Sequence, residues 1–168
     1  MDNQRRQFLR AGAAGLALAG LSGCAGIGST ASKGRVVVVG GGFGGATAAQ
    51  YIRLLDPSIE VVLVEPNEVF VSCPISTLVL GGFKTIADVT TPYTGLEKNH
   101  GIRLVRDRAT AIDPGKREVR LAGGGALSFD RVVVSPGIDF IPGSIPGLAA
   151  PGAADRVLHA WKAGPQTV

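Results

Sequence analysis

The sequence has few residues of the kinds that build metal centres and disulfide frameworks. It contains 2 cysteines and 2 histidines in 168 residues, and neither a C-x-x-C pair nor a C-x-x-C-H run is present. Protein metal sites and covalent haem attachment need such residues at close spacing. We therefore expect neither a metal site nor a haem in this chain.

An excess of one charge is also lacking. There are 17 basic and 13 acidic residues, which gives a formal net charge of +4. Arg5, Arg6 and Arg10, set against Asp2, contribute half of that excess. The rest of the chain mixes both signs, with no basic stripe of the kind that binds phosphate backbones. The composition therefore argues against nucleic acid as a partner.

Long hydrophobic runs are absent too, and the first residues instead have the layout of an export signal. Arg5–Arg6 precede Phe8–Leu9 and an apolar stretch from Ala11 to Leu21, which is too short to span a membrane. The pattern resembles a twin-arginine signal. We expect residues 1–31 to be this signal, no transmembrane helix to be present, and the protein to be periplasmic.

The way in which this leader is processed stays open between two forms. Ser29–Ala31 offers the small residues that a signal peptidase prefers, which would release a soluble protein. The stretch "LSGC", ending at Cys24, fits a lipoprotein box, which would give a lipid anchor at Cys24 and a membrane-anchored lipoprotein. In either form, Cys73 is the cysteine that remains in the rest of this sequence.

The segment after the leader has the pattern of a dinucleotide-binding β-α-β unit. Val36–Val39 predicts a buried strand, Ala46–Leu55 a helix, and Val61–Val64 a second buried strand that ends at Glu65. Glycines in the order G-x-G-x-x-G lie between the first strand and the helix. Residues 32–168 are thus expected to be the N-terminal part of an FAD/NAD(P)-binding domain.

Each part of this pattern has a physical role. Gly40 allows the tight turn, Gly42 the close approach of a pyrophosphate, and Gly45 the packing of the helix against the strand. The helix N-terminus offers free N–H groups and a positive dipole end to the phosphates. Glu65 can accept hydrogen bonds from ribose hydroxyls.

The following chain favours FAD over NAD. Turn residues alternate with short β patterns, and a last buried strand ends in a small-residue motif; these are Ile102–Val105, Asp113–Lys116, Glu118–Leu121, Gly123–Gly125, Arg131–Val134 and Ser135–Gly137. Such a β-meander resembles the FAD domain of glutathione-reductase-like flavoproteins, where the closing motif is Ala-Thr-Gly. The predicted fold is α/β: a Rossmann-like FAD-binding domain with a β-meander excursion, incomplete at its C-terminus.

Several stretches together resemble one family, the flavoprotein subunit of flavocytochrome c sulfide dehydrogenase. They are "VVVVGGGFGGATAAQYI", "EVFVSCPISTLVLGG", "HGIRLVRDRATAIDP", "FDRVVVSPGIDF" and "HAWKAGPQT". The resemblance implies oxidation of sulfide to sulfur or polysulfide, with electrons passing through FAD to a c-type cytochrome partner. It also implies a redox disulfide from later cysteines, so no catalytic residue is expected before Val168.

The resemblance gives Cys73 a role as well, a thioether bond to FAD. From the residue alone, a small buried side chain is the alternative. Three other functions stay open: a sulfide:quinone oxidoreductase, an NAD(P)H-linked flavin oxidoreductase of the same superfamily, and a noncatalytic nucleotide-binding accessory lipoprotein.

The candidate cofactor-binding residues combine the glycine fingerprint, its neighbours and positions that the resemblance adds. Asn67, just after Glu65, is expected near the adenosine ribose. The resemblance places Ala109 beside adenine through its main chain, whereas Pro136 removes one backbone donor from the closing motif. The full set is Gly40, Gly42, Phe43, Gly44, Gly45, Glu65, Pro66, Asn67, Cys73, Ala109, Pro136 and Gly137.

Overall fold

The computed structural model describes residues 32–139 and 141–157. The predicted leader, with Cys24, and the "HAWKAGPQT" stretch lie outside these residues. The helices are α1 (Phe43–Leu55), α2 (Thr77–Leu80), α3 (Thr94–His100) and α4 (Ala153–Arg156), with 3₁₀ turns at Ala87–Val89 and Pro142–Ser144. The strands are β1 (Arg35–Val39), β2 (Glu60–Val64), β3 (Val69–Val71), β4 (Thr90–Pro92), β5 (Arg103–Val105), β6 (Ala109–Asp113), β7 (Glu118–Leu121), β8 (Ala126–Ser128) and β9 (Arg131–Val134).

Four of these strands form a parallel sheet in the order β5-β2-β1-β9. Val37 of β1 pairs with Val62 on one side and with Val132 on the other. Parallel neighbours require a crossover connection, and α1 provides the one between β1 and β2. A sheet that is covered on both faces explains why its strands are nearly continuous runs of valine.

Each face of this sheet packs against a different layer. Val36, Val38 and Leu63 belong to a core cluster that reaches α1 and α3. Their strand neighbours Val37 and Val62 point to the opposite face and belong to a second cluster, which includes Val119 of β7. Alternation along each strand thus separates a helical layer from a layer made by the antiparallel sheet β6-β7-β8.

The predicted α/β class is confirmed, and the β-meander is present as β6-β7-β8. One boundary was wrong: α1 begins at Phe43, not at Ala46, because the glycine-rich Phe43–Gly45 segment is already helical. Its low helix propensity hides this first turn in the sequence. The antiparallel pair β3-β4 was not predicted, since each of those strands has only 3 residues. Helix α3, which has 7 residues, was not predicted either. No helix of the described residues is long and apolar enough to cross a membrane.

Candidate functional site

The carboxyl ends of the parallel strands meet at one edge of the sheet. There the Gly40 N–H donates to the last carbonyl of β2 at 2.9 Å, and the Ser135 N–H donates to the last carbonyl of β1 at 2.8 Å. The Glu65 N–H reaches the last carbonyl of β5 at 3.0 Å. The chain leaves β1 toward β2 on one side and returns to it as β9 on the other. Open α/β sheets bind their ligands at such a switch point.

Residues 40–45, the turn after β1 and the first turn of α1, are called the glycine loop here, and this loop has no room for a side chain at Gly40 or Gly45. A Cβ on Gly40, where φ is +96°, would lie 2.0 Å from the Ser135 carbonyl oxygen. A Cβ on Gly45 would lie 1.8 Å from the Gly40 carbonyl oxygen. Around Gly42, by contrast, a Cβ would meet no protein atom within 4 Å. The loop is therefore packed tightly against the sheet and open on its outer side.

The open side of this loop is the N-terminus of α1. The first intrahelical bond runs from the Ala46 N–H to the Gly42 carbonyl at 2.9 Å, and no side chain caps the helix. The preceding N–H groups, at Phe43, Gly44 and Gly45, have no carbonyl of their own helix to bond. Such a cluster of donors at the positive end of a helix dipole suits a phosphate group.

Glu65 connects this loop to the end of β2. Its side chain is buried, and Oε2 accepts a hydrogen bond from the Gly41 N–H at 2.8 Å. Oε1 accepts bonds from the Asn67 N–H at 2.9 Å and from Asn67 Nδ2 at 2.6 Å. Because a carboxylate can accept about four hydrogen bonds, it retains capacity for a ribose hydroxyl. Pro66, between them, has no N–H to offer.

Tyr93 is a component of the site that the sequence analysis missed. It is 4% exposed, and its hydroxyl donates to the Gly41 carbonyl at 3.0 Å. The Arg106 guanidinium lies 5.4 Å from the centre of its ring. Burial raises the pKa of Tyr93 to about 12; the charge of Glu65 also raises it, whereas that of Arg106 lowers it. The signal for this contact was Gly41, the middle one of three consecutive glycines, which the fingerprint does not require.

A cleft of about 390 Å³ extends from the glycine loop along α1. Its walls come from α1, the paired strands β3 and β4 and the start of α3, and they are mostly apolar. Phe43 and Phe70 meet there edge to face, with their ring centres 4.9 Å apart. The cleft gives an aromatic surface beside the phosphate-type donors of the helix N-terminus.

Cys73 lies in the turn between β3 and α2, where it is half-buried. The Cys73 carbonyl accepts bonds from the Ser76 N–H at 3.0 Å and from Ser76 Oγ at 2.6 Å. On the other side, the Ser72 N–H donates to the Val89 carbonyl at 2.7 Å. Ser72 and Ile75 line the cleft, so the backbone around Cys73 is fixed beside it.

The remaining candidates lie in two other segments of the chain. Ala109 begins β6, and an irregular register separates it from Ala111. Pro136 and Gly137 follow β9, and Gly137 has a left-handed φ of +77°. Pro136 lies beside the glycine loop, since its Cα would be 3.3 Å from a Cβ on Gly40.

A comparison with protein families identifies what this architecture belongs to. The family profile of the pyridine nucleotide-disulphide oxidoreductases matches residues 34–163. The chain belongs to this family. Membership makes the protein part of an oxidoreductase family and agrees with the glycine loop and the acid that ends β2.

Two curated oxidoreductases show where the similarity is strongest and how far it extends. The chain is 69% identical over 45 residues to the sulfide dehydrogenase [flavocytochrome c] flavoprotein chain of Chlorobaculum thiosulfatiphilum, a match that covers 27% of this chain and 94% of that relative. It is 28% identical over 109 residues to the sulfide-quinone reductase of Aquifex aeolicus, covering 65% of this chain. The chain spans only about 25% of the length of that reductase.

Solved structures of other oxidoreductases have the same fold. The sulfide:quinone oxidoreductase of Aquifex aeolicus matches with a TM-score of 0.60 and 27% identity, over 64% of this chain and 25% of that one. The NAD-dependent persulfide reductase of A. fulgidus matches with a TM-score of 0.61 and 28% identity, over 70% of this chain and 24% of that one.

The packing of the loop predicts a large loss of stability for one Gly→Ala substitution and a small change for another. Gly45→Ala forces a methyl group into the Gly40 carbonyl and should lower the free energy of unfolding by about 3 kcal/mol. Gly42→Ala, its matched control, points the methyl group into open space and should change it by less than about 1 kcal/mol. Urea denaturation of the ligand-free protein measures both. Equal losses would contradict the geometry.

The raised pKa of Tyr93 predicts a loss of stability in alkali. Between pH 10 and pH 12 an unfolded chain has ionised this phenol, whereas the folded chain keeps it protonated because its pKa is about 12. The unfolded state then binds fewer protons, so the free energy of unfolding falls as the pH rises. Tyr93→Phe should remove this part of the decline.

Urea denaturation at successive pH values tests this, with Tyr51→Phe as the control. Tyr51 is the other tyrosine of the chain and is 57% exposed. The free energy of unfolding of this control should fall with rising pH as that of the wild type does. A Tyr93→Phe curve parallel to the wild-type curve would show that the phenol does not titrate differently on folding.

Proposed function

We propose that this chain is the FAD-binding segment of a sulfide-oxidising flavoprotein that passes electrons to a c-type cytochrome. The observation that carries the proposal is the match to the sulfide dehydrogenase flavoprotein chain, which covers nearly all of that relative's curated length. The similarity to the sulfide-quinone reductase of Aquifex aeolicus, in sequence and in structure, also supports sulfide as the substrate.

The described residues fit FAD at two of its groups, the pyrophosphate and the adenosine ribose. The N–H groups of Phe43, Gly44 and Gly45 would hold the pyrophosphate, and the open space at Gly42 leaves room for it. Glu65 would accept the adenosine ribose hydroxyls with its remaining capacity. FAD would supply the two-electron oxidation that the reaction needs.

The overall reaction balances with a one-electron acceptor. HS⁻ becomes elemental sulfur by losing one proton and two electrons, and two c-type haems take one electron each. This chain would contribute the binding and orientation of the flavin, because no catalytic residue for sulfide is assigned to it.

We further propose that Cys73 holds the flavin covalently through a thioether to a methyl group of the benzene ring. One S–H and one C–H bond would break and one C–S bond would form. The two protons and two electrons released would reduce the flavin ring. The turn that fixes the Cys73 backbone beside the cleft supports this role.

A quinone is the second candidate for the acceptor. The basis is the similarity to sulfide-quinone reductases, which extends over much more of the chain than the 45-residue match. The two candidates share the substrate and the cofactor and differ only in where the electrons leave.

The reaction is tested with the full-length, flavin-loaded protein and sulfide. We expect reduction of a c-type cytochrome, followed at its visible absorbance band, with no comparable reduction of a soluble quinone analogue. Quinone reduction alone would select the second candidate. If neither acceptor is reduced, the protein is a noncatalytic nucleotide-binding subunit or acts on another substrate, and reduction of the flavin by NAD(P)H would identify the latter.

The covalent bond predicts that flavin stays with the protein in acid. We expect flavin absorbance in the acid-precipitated pellet of the wild type, and mass spectrometry should find it on the peptide that carries Cys73. Cys73→Ser should release the flavin to the supernatant, because a hydroxyl does not replace the thiolate. Ser72→Ala is the matched control and should keep it. Flavin in the wild-type supernatant would contradict the bond.

We also propose that residues 1–31 direct export by the twin-arginine route. A reporter fused behind these residues should reach the periplasm, and changing Arg5 and Arg6 to lysine should hold it in the cytoplasm. Export of the changed fusion at the wild-type level would refute the assignment.

A further inference from the structure

We propose that Tyr93 is a positioning residue for the cofactor's pyrophosphate, because its hydroxyl fixes the peptide that joins Gly41 and Gly42. The inference deepens the proposed function and rests on its FAD site. It concerns a residue outside the glycine fingerprint, contributed by the segment between β4 and α3.

Both polar groups of Gly41 are held by buried partners. Its N–H donates to Glu65 Oε2 at 2.8 Å, and its carbonyl accepts from the Tyr93 hydroxyl at 3.0 Å. The two bonds fix the two peptide planes that meet at Gly41. A residue with no side chain, which would otherwise rotate freely, is thereby restricted to one orientation.

The planarity of the peptide bond carries this restraint to the phosphate side. The structure has no cis peptide bond among its described residues, so a carbonyl and the following N–H point in opposite directions. Since the Gly41 carbonyl points inward to Tyr93, the Gly42 N–H points outward, to the open side of the loop. There it joins the N–H groups of the first turn of α1.

Without the hydroxyl, this peptide has an alternative orientation that opposes binding. Glycine on both sides of the bond makes rotation of the peptide easy. The buried Gly41 carbonyl would also lose its partner, which favours turning it outward toward water. An outward carbonyl places a partial negative charge where the phosphates bind, whereas the Tyr93 bond keeps a donor there.

Tyr93 itself is well supported for this task. Its ring belongs to the core cluster that contains Val36 and Leu63, and Arg106 lies over its face. A Cβ on Gly41 would be 2.7 Å from the Tyr93 oxygen, so the ring occupies the space that a side chain at Gly41 would take. The glycine and the tyrosine are thus a matched pair.

The test measures ligand binding by the full-length protein in a Cys73→Ala background, in which no thioether can hold the flavin. Bound flavin is removed with chaotropic salt, and the dissociation constants of FAD and of ADP are measured by titration. Tyr93→Phe keeps the ring and removes only the hydroxyl. We expect it to raise the dissociation constants of both ligands about tenfold, which corresponds to the net free energy of one hydrogen bond.

Two control variants separate positioning from general stability. Tyr51→Phe removes an exposed hydroxyl from α1. Val119→Ala removes two buried methyl groups from the core on the opposite face of the sheet. Both should bind FAD and ADP as the parent does, although Val119→Ala lowers the melting temperature. In ligand-free protein, amide hydrogen exchange of the peptide covering residues 40–46 should accelerate in Tyr93→Phe but not in Tyr51→Phe.

Each outcome decides the proposal. Unchanged binding by Tyr93→Phe, or an equal loss in Val119→Ala, would overturn it. If the parent binds ADP but not FAD, the proposed flavin function fails, while the ADP constants still decide the role of Tyr93. If the parent binds neither ligand, both proposals are overturned.

Discussion

Backbone segments from the end of β1, the start of α1 and the end of β9 meet at distances that exclude any side chain, and the rest of the site depends on this contact. Gly40 and Gly45 make it possible, since a Cβ on either would overlap a carbonyl oxygen. Because the segments are this close, the N-terminus of α1 lies directly over the carboxyl edge of the sheet. The donors of the helix and the acid that ends β2 then face the same space.

Hydrogen bonds make this close contact rigid. Glu65 bonds to the loop and to Asn67, while Tyr93 reaches the same loop from the helical layer. A ligand would therefore meet donors that are already oriented, and little ordering would be left to oppose binding. The aromatic cleft beside the loop adds an apolar surface to this polar edge.

The sequence predicted those parts of the fold in which local pattern and tertiary structure agree. The valine runs of β1, β2 and β9 and the turns of the meander have patterns with one dominant interpretation. Helix α1 was placed three residues late, because Phe43–Gly45 is helical through its setting and not through propensity. The bond from Tyr93 to Gly41 joins residues 52 positions apart, and no spacing rule links them. The roles given to Ala109 and Cys73 came from resemblance, and that of Asn67 came from its position after Glu65; all three stay predictions.

The contact between the glycine loop and Tyr93, which directly precedes α3, has a reciprocal consequence. If Tyr93 favours the binding-competent loop, thermodynamic linkage requires that the bound ligand favour the native position of Tyr93 by the same free energy. Helix α3 has only 7 residues, so its local opening is inexpensive unless something beyond the helix holds it. The core cluster already holds Tyr93, and an occupied site would strengthen that hold. The bound cofactor would thereby stabilise a segment that lies 52 positions after Gly41 in the chain.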